Sequence, residues 1–127
     1  MKFLIDTHVF IWYATGDKRL NKSIISIIEG GNDLYLSMAS IWEMAIKVNI
    51  GRLNFLGPFK EILTHQIEIN NYHLLNIEPE HIFYLSNLEL FHKDPFDRII
   101  ISQAIVENIP VISKDKYFMN YNIEVIW

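Results

Sequence analysis

The sequence predicts an α/β fold on a mostly parallel sheet, and three observations carry that prediction. Short apolar runs of strand length recur at Lys2–Asp6, Leu34–Ser37, His73–Ile77, Pro110–Ser113 and Ile123–Ile126. Stretches with helical periodicity lie between them, bounded by residues that start or stop helices. Strands alternating with helices at this spacing imply parallel pairing, right-handed crossovers and helices on both faces of the sheet.

Taken in order, Lys2–Asp6 is a short apolar strand ending on an acid, and Thr7–Ala14 is a first helix stopped near Gly16. Asn21 is placed to cap a helix over Lys22–Glu29, with Gly30 as its left-handed terminator. After the Leu34–Ser37 strand, Met38–Ile50 is a strong helix with Ile41, Met44, Ala45 and Val48 on one face, closed by Gly51. Pro58 suits the first turn of a helix over Pro58–Asn70. The third strand follows, then a short helix from Pro79 to about Ser86 and a loop over Asn87–Lys93. Asp94-Pro95 starts a helix that carries Ile99-Ile100-Ile101 and runs to about Glu107.

A chain of 127 residues without repeats, low-complexity segments or linker-like stretches is expected to form one domain, residues 1–127. Its longest apolar run, Val9–Ala14, is far too short to cross a bilayer. The acid at Asp6 arrives too early for a secretory signal, so a cytoplasmic protein with no membrane association is expected. The absence of cysteine excludes a disulfide framework, a thiol nucleophile and a cysteine-based zinc site. The net charge of −4 argues against a protein that grips nucleic acid through a basic surface. Any nucleic-acid chemistry must draw positive potential from bound cations and a few local basic residues.

The acids are the informative residues. Asp6 directly follows the first strand and Asp115 lies two residues past the fourth. In open α/β sheets the functional crevice lies beyond the carboxyl ends of the strands. Glu43 and Asp97 each fall in an early turn of a helix and can point to the same end. Each acid also has an ordinary explanation. Asp94 can be an N-cap with Pro95 at the first helical position, and Asp97 can be there for the helix dipole. Ser40-Ile41-Trp42-Glu43 matches a capping box, although Met38 and Ala39 already read as helical. Asp6 can cap the first helix, and Asp115 can be a turn residue. Convergence of all four at one end of the sheet favours a site.

Convergence has an electrostatic cost. Two carboxylates ~5 Å apart repel by roughly 3 kcal/mol at an effective dielectric near 20. Several such pairs would consume much of a small domain's stability, about 5–15 kcal/mol. The cluster must be protonated, neutralised by basic side chains, or filled by a cation. Hard oxygen donors without cysteine favour Mg²⁺ or Mn²⁺ over zinc, and such a site suits phosphodiester hydrolysis.

Four segments carry a resemblance: Phe3-Leu4-Ile5-Asp6-Thr7-His8-Val9-Phe10-Ile11-Trp12, Ser37-Met38-Ala39-Ser40-Ile41-Trp42-Glu43-Met44-Ala45-Ile46-Lys47, His92-Lys93-Asp94-Pro95-Phe96-Asp97-Arg98, and Val111-Ile112-Ser113-Lys114-Asp115. In this order, over nearly the whole chain, they resemble the PIN-domain ribonucleases. The likeness is to toxins of the VapC type from bacterial toxin–antitoxin pairs, and Asp-Pro-Phe-Asp-Arg is the most distinctive word. The resemblance implies a three-layer α/β/α fold with a five-stranded parallel sheet of order 3-2-1-4-5, which would put Asp6 and Asp115 on adjacent central strands. It implies that Asp6, Glu43, Asp97 and Asp115 hold one or two Mg²⁺ or Mn²⁺ ions. These would activate a water for in-line attack on RNA, leaving 5′-phosphate and 3′-hydroxyl ends. Thr7 and Ser113 match small hydroxyl positions that flank the acids, with serine here where threonine is frequent. A homodimer and a small DNA-binding antitoxin, whose tail packs near the active site, are likewise implied.

Several neighbours have candidate supporting roles. Lys47, one turn after Glu43, can pair with it or reach a phosphate; a surface ion pair of this kind is worth about 0.2–0.5 kcal/mol. Arg98 points elsewhere around the helix from Asp97, toward Asp94, another carboxylate or RNA. Asp94 is an auxiliary acid or only a cap. His92 and Lys93, in the loop at the mouth, are plausible phosphate contacts or merely solvated charges. His8 reads as helix packing rather than a metal ligand. Phe10, Trp12 and Tyr13 read as core, although neighbours on a helix cannot all point inward.

Rival readings fail or stay open on particular residues. A receiver-type signalling module needs an aspartate after the third strand, where Asn76-Ile77-Glu78-Pro79 stands. A phosphatase working through an aspartyl-phosphate wants a second aspartate two positions after Asp6, where His8 stands. A nuclease of RNA processing or of DNA, without an antitoxin, remains the alternative.

Overall fold

The computed structural model describes residues 1–127. In chain order the elements are β1 (Lys2–Ile5), α1 (Thr7–Thr15), α2 (Lys22–Glu29), β2 (Asp33–Ser37), α3 (Met38–Asn49), α4 (Phe59–Ile69), β3 (His73–Leu75), α5 (Pro79–Leu85), α6 (Pro95–Glu107), β4 (Val111–Ile112) and β5 (Val125–Ile126). A 3₁₀ turn over Lys116–Asn120, absent from the sequence reading, joins the last two strands. The strands form one parallel sheet in the order β3-β2-β1-β4-β5. The chain starts at the centre, moves outward to β3, and returns to the other side of β1 for β4 and β5. The order therefore switches between β1 and β4, where a crevice opens beyond the strand ends.

Both faces of the sheet are covered, so the central strands are apolar on both sides. Phe3 and Ile5 of β1 pack with Val9, Phe10, Ile24, Ile28, Leu34 and Met44 on one face. Leu4 packs with Ala39, Ile100, Ile101, Val111 and Phe118 on the other. The Ile99-Ile100-Ile101 run is wholly buried, and so are Ser102 and Gln103 behind it. Burial of those two polar side chains is tolerated because both are bonded. Ser102 donates to the His81 carbonyl, and Gln103 accepts from the Ser37 hydroxyl at 2.6 Å.

Departures from the sequence reading have local causes. β3 ends at Leu75 rather than Ile77, because its partner β2 ends at Ser37, opposite Leu75, where α3 begins. β4 is shorter than Pro110–Ser113 because Pro110 has no N–H, although its carbonyl still accepts from Leu4 N at 2.9 Å. Gly30 has φ −88, and Gly31 (φ 77) takes the left-handed conformation one residue later. Pro58 is the N-cap of α4 rather than its first helical residue. α3 buries Ala39, Ser40, Glu43 and Met44, so the inward stripe is rotated and Ala45 is exposed. α6 starts at Pro95 with Asp94 as cap, as predicted.

Candidate metal centre

Asp6 leaves β1 in extended conformation at the N-cap position of α1, yet its side chain caps nothing. Its carboxylate turns into the crevice, where the Ser113 hydroxyl donates to Oδ2 at 2.9 Å. Oδ1 is buried without a hydrogen-bond partner. Ser113 also accepts from Asp115 N at 3.0 Å, so one hydroxyl ties the ends of β1 and β4 together.

Glu43 is delivered by α3. The helix begins at Met38 with Ser37 as its cap, and Ala39 N donates to the Ser37 hydroxyl at 3.0 Å. Glu43 is therefore not part of a capping box. It is 4% exposed, its Oε2 pairs with Lys47 Nζ at 2.8 Å, and Oε1 is buried without a partner.

Asp97 sits in the first turn of α6. The Asp94 carboxylate accepts from Phe96 N at 2.9 Å and Asp97 N at 3.0 Å, which fixes that turn. His92 inserts its ring between the two remaining acids, with Nε2 3.0 Å from Asp97 Oδ2 and 2.8 Å from Asp115 Oδ2. Its Nδ1 accepts from Asp94 N at 3.1 Å, so the proton resides on Nε2 and faces the carboxylates. Asp115 Oδ1 accepts from Tyr117 N at 2.9 Å, so the acid also serves the turn role its sequence context suggests.

Electrostatics register the convergence. Burial first, then the charges of Asp6, Asp94, Glu43 and Asp115, push Asp97 up to about 8. Burial also raises Asp6 to about 6, reinforced by Asp115 and Glu43 and opposed by His8 and the Ser113 hydroxyl. The charges of the four acids named from the sequence thus act on one another. The donor set fits a hard divalent cation: two buried carboxylate oxygens lack donors, and carboxylate oxygens of Asp97 and Asp115 lie within 4.8 Å of each other.

The supporting residues fall differently. Thr7 donates to the Ser40 hydroxyl at 2.8 Å, linking α1 to α3 rather than touching an acid. Arg98 donates to the carbonyls of Leu88, Glu89 and His92, bracing the loop before α6 rather than pairing with Asp94. Lys93 is exposed at the mouth. His8 is exposed rather than packed, with its ring 6.1 Å from that of Trp12. Of Phe10, Trp12 and Tyr13, the first two are buried and Tyr13 is half-buried. The bridging position of His92 escaped the sequence reading. The available clue was its spacing, two residues before a cap, from which an imidazole can reach the cap's N–H.

A parallel α/β domain with carboxylates gathered at the switch point of its sheet defines the class: an α/β protein with a candidate acidic metal centre. The chain belongs to the PIN-domain family, whose model matches residues 3–123. No curated protein matches the sequence. Among solved structures, the chain is similar to VapBC2 from Rickettsia felis bound to a promoter DNA fragment, with a TM-score of 0.73, 16% identity, and coverage of 99% of this chain and 98% of that one. VapBC-1 from nontypeable Haemophilus influenzae has a TM-score of 0.72, 16% identity and coverage of 99% and 97%. FitAcB from Neisseria gonorrhoeae has a TM-score of 0.70, 16% identity and coverage of 98% and 96%. At these identities the likeness is one of fold.

Proposed function

We propose that this protein is an endoribonuclease that uses Mg²⁺ or Mn²⁺ to hydrolyse RNA phosphodiester bonds, acting as the toxin of a toxin–antitoxin pair. The observation that supports this reading is the mutual charge coupling of Asp6, Glu43, Asp97 and Asp115, with Asp6 Oδ1 and Glu43 Oε1 buried and unpartnered. Leaving such groups unsatisfied costs about 1–3 kcal/mol each, and more when charged. A divalent cation removes that cost and makes a negative pocket attractive to phosphate.

When bound, the ion lowers the pKa of a coordinated water and neutralises charge on the phosphate. Asp6, Glu43, Asp97 and Asp115 would hold it. The Ser113 hydroxyl orients the Asp6 carboxylate, Lys47 steadies Glu43, and the Asp94 cap fixes the turn that carries Asp97. Lys93, at the rim, is placed to meet a neighbouring phosphate.

Family membership supports the class of chemistry, since PIN domains are typically metal-dependent nucleases. The similar structures include toxin–antitoxin complexes, two of them named above as VapBC and one more from Klebsiella pneumoniae, and some are bound to DNA. On that likeness the partner of this chain is a small DNA-binding antitoxin; the homodimer rests on the family resemblance alone. No helix is long and apolar enough to cross a membrane.

The test is cleavage by purified protein freed of any partner. Single-stranded RNA is expected to be cut with Mg²⁺ or Mn²⁺, and EDTA to stop it. Asp6→Asn and Asp97→Asn are expected to abolish cleavage while the thermal midpoint stays at or above that of the parent. Unchanged cleavage in either variant removes the roles assigned here. Preference for DNA, or a neighbouring gene that encodes no antitoxin, favours the alternative of a nuclease outside a toxin–antitoxin pair.

A further inference from the structure

Beside the carboxylate pocket lies an open cleft of about 280 Å³ lined by Phe91, His92, Lys93, Asp94 and Tyr117. His92 belongs to both: its ring lines the cleft while its Nε2 reaches Asp97 and Asp115. The cleft therefore begins one imidazole away from the acids.

Its aromatic residues are held yet exposed. Phe91 is 48% exposed and Tyr117 is 47% exposed. The Phe91 ring stands edge-on to Tyr121 with centroids 5.3 Å apart, and the Tyr117 ring lies against His92 at 5.5 Å. Each ring is braced by a buried neighbour and remains about half exposed. Lys116 Nζ lies 5.5 Å from the Tyr117 centroid, and Lys93 lines the cleft. Exposed aromatic faces interleaved with cations are the chemistry that binds single-stranded nucleic acid, because every base offers a π-face and every link a negative charge.

The distribution of charge orients the occupant. Asp94 Oδ1 is engaged by two backbone N–H groups at the start of α6, and Asp94 lines the cleft. A carboxylate there repels phosphate and accepts from the N–H groups on a base edge. The base thus belongs against the aromatic rings and the phosphate beside Lys93 and Lys116.

We propose that the cleft between Phe91 and Tyr117 is a nucleobase subsite that stacks the base of a nucleotide flanking the scissile phosphate of single-stranded RNA, with Lys93 and Lys116 on its backbone. This rests on the ribonuclease reading above and adds to it the part of the substrate held beside the acids.

The test is single-turnover cleavage of a short single-stranded RNA with Mn²⁺, comparing the parent with Phe91→Leu, Tyr117→Leu and Tyr117→Phe. Both leucine variants are expected to raise the half-saturating concentration of protein tenfold or more, with the saturated rate changing less than threefold. Tyr117→Phe, which keeps the ring, is expected to behave as the parent. An abasic residue introduced beside the cut should weaken parent binding by a similar factor and should add nothing in the Tyr117→Leu protein. Leucine variants that saturate as the parent does, or abasic and leucine effects that multiply independently, overturn the subsite while leaving the nuclease intact. A parent protein that cleaves no RNA overturns the nuclease reading and this subsite with it.

Discussion

The hydroxyl of Ser113 donates to Asp6 Oδ2 at 2.9 Å, joining residues 107 positions apart in the chain. Because the same oxygen accepts from Asp115 N, Ser113 links two acids and two central strands. Replacing it with alanine removes both bonds, the one to Asp6 fully buried and the one from Asp115 partly so. Ser113→Ala is expected to cost about 1–3 kcal/mol in urea denaturation, and to raise the Asp6 pKa further, since the lost donation favoured the ionised form. A variant as stable as the parent would show that the hydroxyl contributes nothing to the site's frame.

The acids predict a pH dependence with a definite sign. Asp6 and Asp97 are raised from 3.8 to about 6 and about 8. The folded metal-free protein therefore keeps protons that the unfolded chain releases. The stability these groups contribute is full below about pH 4 and erodes as pH rises, through about 6 for Asp6 and about 8 for Asp97. Metal binds the ionised carboxylates, so its stabilising effect should grow over the same window. Thermal midpoints in EDTA and in Mg²⁺ at about pH 5.5 and about pH 8 should show a larger magnesium shift at the higher pH. Equal shifts at both would contradict the assignment.

His92 presents a protonated Nε2 where a cation would sit between Asp97 and Asp115. Removing it takes away the one donor that the two carboxylates share in the metal-free protein. His92→Ala is expected to destabilise the metal-free form by about 1–3 kcal/mol and to tighten Mn²⁺ binding measured by calorimetric titration. Weaker Mn²⁺ binding would mean that Nε2 acts as a ligand after exchanging its proton, against the hydrogen bond from Asp94 N.

Arg98 spends its guanidinium on three carbonyls of the loop that carries His92. A lysine keeps the charge but lacks the planar fork. Arg98→Lys is expected to speed amide exchange across residues 87–93 and to leave the salt dependence of RNA binding unchanged. A shallower salt slope with no change in exchange would assign Arg98 to the substrate instead.

The parts legible in the sequence are those governed by neighbours along the chain. The Asp94-Pro95 start of α6, the Asn21 cap of α2 and the apolar run of β1 each follow from backbone preferences acting over a few residues. Gly30 and Ala45 show the limit of that reasoning. The turn after α2 closes one residue later than its glycine suggested, and the buried stripe of α3 is set by which face meets α1, α6 and β2.

By itself the sequence determined the succession of strands and helices, and it placed acids near the ends where a parallel sheet opens. Tertiary structure alone decided who meets whom: that Ser113 rather than solvent satisfies Asp6 Oδ2, that Thr7 turns away to Ser40, and that His92 lies between Asp97 and Asp115. The reason is physical. Local preferences act over a turn or two of backbone, whereas these contacts join segments up to 107 residues apart, and their partners are chosen only when the sheet and the covering helices pack.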